Sequence, residues 1–194
     1  MVPVWTGPAP AARACDAGRV TLQPHLVVMG VSGSGKTTVA TRLADRLGRP
    51  FAEADDMHPA ANVAKMAAGT PLTDEDRAPW LATVRDWLTA EAERGRSAVV
   101  TCSALRRRYR DVLRGAAGGV TFVFLDGDPE LLAERMRRRK GHFMPPSLLE
   151  SQLDTLEPLE PDEDGVRVLV DGTPDDVVAE ALRRLGERAP RHAQ

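Results

Sequence analysis

Gly30-Val31-Ser32-Gly33-Ser34-Gly35-Lys36-Thr37 is the stretch whose reading decides the fold. It fits G-x-x-x-x-G-K-[ST], the spacing of a loop that wraps phosphate. The apolar run Leu26-Val27-Val28-Met29 enters it like a buried strand. Val39, Leu43 and Leu47 leave it at the four-residue spacing of one helix face. The loop therefore falls between a strand and a helix N-terminus. There its glycines let the backbone curl until several N–H groups converge on phosphate oxygens, and the helix dipole favours the same negative charge. In that arrangement Gly30, Val31, Ser32, Gly33, Ser34, Gly35, Lys36, Thr37 and Thr38 line the phosphates. The Lys36 ammonium reaches the β- and γ-phosphates and the Thr37 hydroxyl holds Mg²⁺. A nucleoside triphosphate is the expected ligand.

The 194 residues suit one domain whose core needs neither disulfides nor metals. A net charge of −2 argues against nucleic-acid binding carried by overall charge, so the arginines are judged by position. Cys15 and Cys102 stand far apart without metal-ligand spacing, which fits a reducing cytoplasm. No apolar run reaches the length of a membrane span. Residues 1–24 are rich in Pro and Ala, and Arg13, Asp16 and Arg19 interrupt any secretion-signal core. They are expected to form a mobile tail, or to follow from an upstream start codon. Residues 189–194 form a second tail, which leaves 25–188 as the domain.

Beyond the loop, residues 50–59 read as a short strand ending in Asp55 and Asp56, followed by a helix over Ala60–Ala68 closed by Gly69. Thr73, with Asp76 three residues on, starts a helix that carries Trp80, Leu81, Val84, Trp87 and Leu88 on one face and stops at Gly95. That spacing makes both tryptophans core residues. Ala98–Cys102 is a continuous apolar strand, turning at Ser103-Ala104 into a basic helix from Leu105 to Arg114. Val120–Leu125 is a fourth strand, Leu131, Leu132 and Met136 mark the next helix, Ser147 begins a short one, and Val166–Val170 is a fifth strand. The last helix, after Pro174, carries Val177, Val178, Ala181, Leu182 and Leu185. Alternation of this kind predicts an α/β fold, a parallel sheet with helices on both faces. Ligands of such sheets lie beyond the carboxyl ends of the strands. Gly30–Thr37, Asp55–His58, Cys102–Arg106 and Asp126–Asp128 all follow strand ends, so all should open onto one crevice.

A phosphate loop alone leaves a GTPase switch, a motor ATPase or a small-molecule kinase. There is no N-K-x-D segment to select guanine, and Ala98–Cys102 does not end in the Asp of a typical Walker B strand. A kinase needs alignment, a metal and positive charge where the phosphoryl group passes. Arg135 and Arg139 share a helix face beside the Gly-bounded segment Gly141–Pro146, which reads as a lid over residues 135–150 that excludes water on closing. Asp55 or Asp56 is placed to orient an acceptor hydroxyl and take its proton, and His58 to bond substrate or local backbone.

These residues resemble the gluconokinase family. The resemblance rests on residues 28–36, Asp55-Asp56-Met57-His58-Pro59, Asn62 with Lys65-Met66, Pro71-Leu72 with Asp74, Asp76-Arg77, Pro79-Trp80, Cys102-Ser103-Ala104-Leu105, Tyr109-Arg110-Asp111, Gly141-His142-Phe143-Met144 and Thr155-Leu156-Glu157-Pro158. It runs from about residue 25 to 185. It implies a P-loop NTPase fold with strand order 2-3-1-4-5, a lid, and transfer from ATP to D-gluconate with Mg²⁺, in a homodimer. By position it makes Asp55 the base and Lys36, Arg135 and Arg139 the charges on the transferring group. His58, Lys65, Ser103 and His142 would face the sugar acid. Arg77 would grip its carboxylate with two parallel bonds, with Arg106 or Arg110 as alternatives. This chain has Arg106 and Arg107 where the family usually has lysines, so a fork replaces a point charge there. Two other readings stand beside it: another small-molecule kinase, of shikimate or nucleotide type, and a nucleotide-binding module without chemistry.

Overall fold

The structure, a computed structural model, describes residues 22–138 and 146–187. Five strands, β1 (His25–Met29), β2 (Phe51–Glu53), β3 (Val99–Thr101), β4 (Val120–Asp126) and β5 (Gly165–Leu169), form one parallel sheet in the order β2-β3-β1-β4-β5. That is the expected order. Every residue of β1 and β3 is buried, because helices cover both faces of the central strands.

Side chains alternate along each strand and so build two separate cores. Leu26, Val28 and Val99 pack with Val39 and Leu43 of α1 (Lys36–Leu47), Leu132 of α5 (Pro129–Arg138), Leu149 of α6 (Pro146–Thr155) and Val177 of α7 (Pro174–Glu187). Val27, Met29 and Val100 face the other way, onto Trp80, Leu81, Val84 and Leu88 of α3 (Asp74–Glu93) and Leu113 of α4 (Arg107–Arg114). Trp80 is 1% exposed and its indole N–H donates to the Ala54 carbonyl at 2.6 Å, whereas Trp87 is only partly buried. The capping box at Thr73 is present: Asp76 N–H donates to the Thr73 hydroxyl at 3.3 Å, and Thr73 N–H to Asp76 at 2.9 Å.

Two differences from the sequence reading bear on the site. β2 is three residues long, and Asp55 and Asp56 lie in a 3-10 turn at Ala54–Met57. α4 begins at Arg107, because Ala104 takes a left-handed φ of 44° and Leu105 turns into the α1-side core. α2 (Ala60–Ala67) closes as expected. Pro24, assigned to the tail, is tied to the domain by Arg49, which donates to its carbonyl at 2.9 Å. The foot of α6 is fixed to the start of α4: Glu157 N–H donates to the Leu105 carbonyl at 2.7 Å, and Arg107 N–H to the Glu157 carboxylate at 2.6 Å.

Candidate active site at the strand ends

The loop after β1 shows why its glycines are needed. Gly30 has φ 140°, and a Cβ there would come within 2.6 Å of the Leu125 carbonyl oxygen. Gly35, also left-handed, caps α1 without any side-chain bond to its first turn, and that leaves the helix N-terminus to an anion. The Val31 carbonyl accepts from the Ser34 hydroxyl at 2.8 Å and the Lys36 ammonium at 3.0 Å, so the loop closes on itself. Thr37 and Thr38 are exposed at the mouth. Ser32 N–H donates to the Gln152 side-chain oxygen of α6 at 2.7 Å.

At the end of β2, Asp55 and Asp56 are both exposed, and among the described residues neither carboxylate has a hydrogen-bond or ion-pair partner. Their surroundings differ. Burial pushes the Cys102 thiol, at the end of β3, up to about 12; the Asp55 charge pushes the same way, and Lys36 and Arg77 push back. One sulfur thus feels Asp55, Lys36 and Arg77 together, which brings the three around a single strand end. His58 stacks on Trp80, with ring centroids 4.0 Å apart, and its Nδ1 lies 3.3 Å from the Asn62 amide nitrogen. Burial holds the His58 pKa below its usual value against the opposing pull of Asp55, and Arg77 adds to the depression.

Beside these groups opens a cavity of about 360 Å³, with Asp74, Arg77, Arg106, Tyr109, Ser151 and Thr155 in its wall. The Arg77 guanidinium sits 5.7 Å over the Tyr109 ring and donates to the Leu72 carbonyl at 3.3 Å. Asp74 accepts from the Tyr109 hydroxyl and from Arg108, which hold its carboxyl below the usual range. Arg106 lies 3.8 Å from the same carboxylate.

Other expected residues are engaged elsewhere. Arg110 is fully buried, bonds both Glu163 oxygens at 2.7 Å and the Glu157 carbonyl at 2.9 Å, and so is not available to hold a substrate carboxylate. Lys65 spans both Asp76 oxygens at 2.6 and 2.8 Å, beside the α3 cap. Arg135 donates to the Val170 carbonyl at 2.7 Å, past the end of β5. The Ser103 carbonyl lies at the loop's entrance, 3.4 Å from Gly30 N–H. Arg139 and His142 lie outside the described residues. Two residues escaped the sequence reading. One is Gln152. The other is Glu53, whose carboxylate accepts from the Thr101 hydroxyl while its second oxygen is buried without a partner. For Glu53 the signal was present, a carboxylate two residues before Asp55 on the same strand end.

A family model described as an AAA domain matches residues 26–159. A gluconokinase of Gluconobacter oxydans strain 621H is 57% identical over 84% of this chain and 93% of its own length. The unliganded crystal structure of a sugar kinase from Janibacter sp. HTCC2649 superposes with a TM-score of 0.81, at 52% identity over 86% of this chain and 96% of that one. A gluconokinase structure from Sinorhizobium meliloti 1021 gives 0.78 and 49% over 85% and 93%. Identity of this order, spread over nearly the whole of each partner and joined to a shared sheet, decides the matter: the chain belongs to the gluconokinase family, with residues 26–159 its AAA domain.

Proposed function

We propose that this chain transfers the γ-phosphoryl group of ATP to the 6-hydroxyl of D-gluconate, giving ADP and 6-phospho-D-gluconate. The observation that carries the reading is that an anion-binding loop and the unpartnered Asp55 carboxylate follow neighbouring strand ends, with Arg77 in the wall of a cavity that also holds Arg106. The names of the Gluconobacter and Sinorhizobium relatives support the same acceptor.

Each residue then has a task. The N–H groups of Gly33–Thr38 and the Lys36 ammonium hold the phosphates, Lys36 exchanging the Val31 carbonyl for phosphate oxygen. Asp55 orients the 6-hydroxyl and takes its proton as the O–P bond forms. Both carboxylates are free among the described residues, and the Asp55 charge acting on Cys102 at the neighbouring strand end favours it over Asp56. His58 bonds a sugar hydroxyl from its stacked position on Trp80. Arg77 grips the gluconate carboxylate, with Arg106 in the lining of the same cavity and Ser103 at the loop's entrance. Lys65 acts on the substrate by holding the α3 cap in place through Asp76. Arg135 leaves the Val170 carbonyl and, with Arg139, neutralises the transferring group, while His142 binds the sugar acid.

The residues fit Mg²⁺. Among the described residues no three acidic or His/Cys side chains cluster, but Mg²⁺ is held by few protein ligands, with phosphates and water completing its shell. Thr37 would hold it, with the unpartnered Glu53 oxygen on the α1 side of the sheet as the nearby carboxylate. Bound there, the ion would neutralise charge between the β- and γ-phosphates. We extend the reading to a cytoplasmic homodimer without nucleic-acid or membrane partners. No described helix is long and apolar enough to cross a membrane.

An ADP-release assay with Mg-ATP and a panel of acceptors tests the function. Turnover is expected with D-gluconate; turnover with shikimate or a nucleotide and with no sugar acid would reject it.

A further inference from the structure

α6 touches both halves of the proposed site. Ser151 and Thr155 stand in the wall of the acceptor cavity. Gln152, one residue from Ser151, reaches the phosphate loop, 120 positions away in sequence, and accepts the Ser32 N–H at 2.7 Å. The helix is held in register by Leu149, 4% exposed, and by Leu153, packed on the same core. Gln152 is therefore delivered to the loop by a packed element.

An amide carries an acceptor and two donors on one neutral group. Here the oxygen is used, while among the described residues the Gln152 NH₂ has no hydrogen-bond partner. The group that travels from loop to cavity in the proposed reaction is the terminal phosphoryl, rich in acceptors. A donor fixed at that boundary can follow it without adding charge. Lys36, by contrast, is anchored at the start of α1.

Resting on the reaction proposed above, we infer that Gln152 binds the terminal phosphoryl group of the nucleotide through its amide NH₂ while its oxygen keeps the Ser32 N–H. Its ligand is a triphosphate, and a diphosphate lacks the part it touches. A residue that only braced the loop would not distinguish the two.

Calorimetric titration of Mg-ADP and of a non-hydrolysable Mg-ATP analogue tests this on the wild type, Gln152→Ala and Gln152→Glu. Both variants should bind ADP within about twofold of wild type. Gln152→Ala should lose roughly tenfold to a hundredfold in analogue affinity, the worth of a bond to a charged group. Gln152→Glu should lose more, since its carboxylate still accepts the Ser32 N–H but repels phosphate. Wild-type analogue affinity in Gln152→Glu, or an equal loss for both nucleotides in Gln152→Ala, would overturn the inference. Should Gln152→Ala not fold, Gln152→Glu alone decides. A wild type that binds neither nucleotide overturns the proposed reaction itself, and this inference with it.

Discussion

Lys36 and Arg110 are both basic residues near one strand end, and they serve different purposes. Lys36 is half-exposed in the loop, so Lys36→Ala should abolish phosphoryl transfer with a melting temperature close to wild type, its folding free energy changed by no more than about 0.5 kcal/mol. Asp55→Asn should lower kcat by roughly 10²–10⁴ with the fold intact, while Asp56→Asn stays within about tenfold of wild type. Arg110→Ala should behave in the opposite manner. It leaves the Glu163 carboxylate buried and unpaired, costing about 3–5 kcal/mol in a denaturant titration. The difference between these cations was only half legible in the chain. Lys36 announces itself because the loop it belongs to, including the Val31 carbonyl that accepts from it, is contiguous in sequence. The partner of Arg110 is 53 residues downstream, and nothing in the spacing of either residue reports the pair. The Lys65–Asp76 pairing was hidden in the same way.

Elements were easier to read, and the reasons are physical. β1, β3 and β4 are covered on both faces and so appear as unbroken apolar runs, and the capping box of α3 is a local chemical pattern. The turn at Ala104 leaves no such mark, since a left-handed Ala has no signature, and the spacing extends α4 two residues too far. The start of α3 also borders the acceptor cavity at Thr73 and Asp74. Thr73→Ala should therefore cost about 1 kcal/mol in stability and raise the KM for the acceptor more than it lowers kcat. Thermal melts beside a two-substrate titration read both effects.

For the molecule as a whole, sheet order followed from the resemblance and residue burial from unbroken apolar runs and helix-face spacing, whereas the titration behaviour required the structure. His25 is 1% exposed; its Nδ1 accepts the Ala98 N–H at 2.9 Å and its Nε2 faces the Ala117 carbonyl at 3.0 Å, which fixes a neutral ring. Burial foremost lowers the pKa of both His25 and His58 from 6.5. The unfolded chain then takes up protons near pH 6.5 that the folded one refuses. Stability is full above that value and falls as pH drops from it toward the folded pKa values. Melting temperatures should be level from pH 8 to about 7 and decline below about 6.5. Asp74, Asp76 and Asp162 are depressed from 3.8 by their hydrogen-bonding partners, and stability linked to them is lost only at more acid pH, so the two windows separate. His58→Gln should remove part of the upper slope.

The bonds that fasten Glu157 to Leu105 and Arg107 have a mechanical meaning. They give α6 a hinge pin at its far end, set into the backbone that leads from β3 to α4. Whatever swing a nucleotide imposes on that helix must be largest at its Pro146 end and smallest at the pin. Thr155, which stands in the cavity wall, lies beside the fixed point, so that wall keeps its place while the Pro146 end moves.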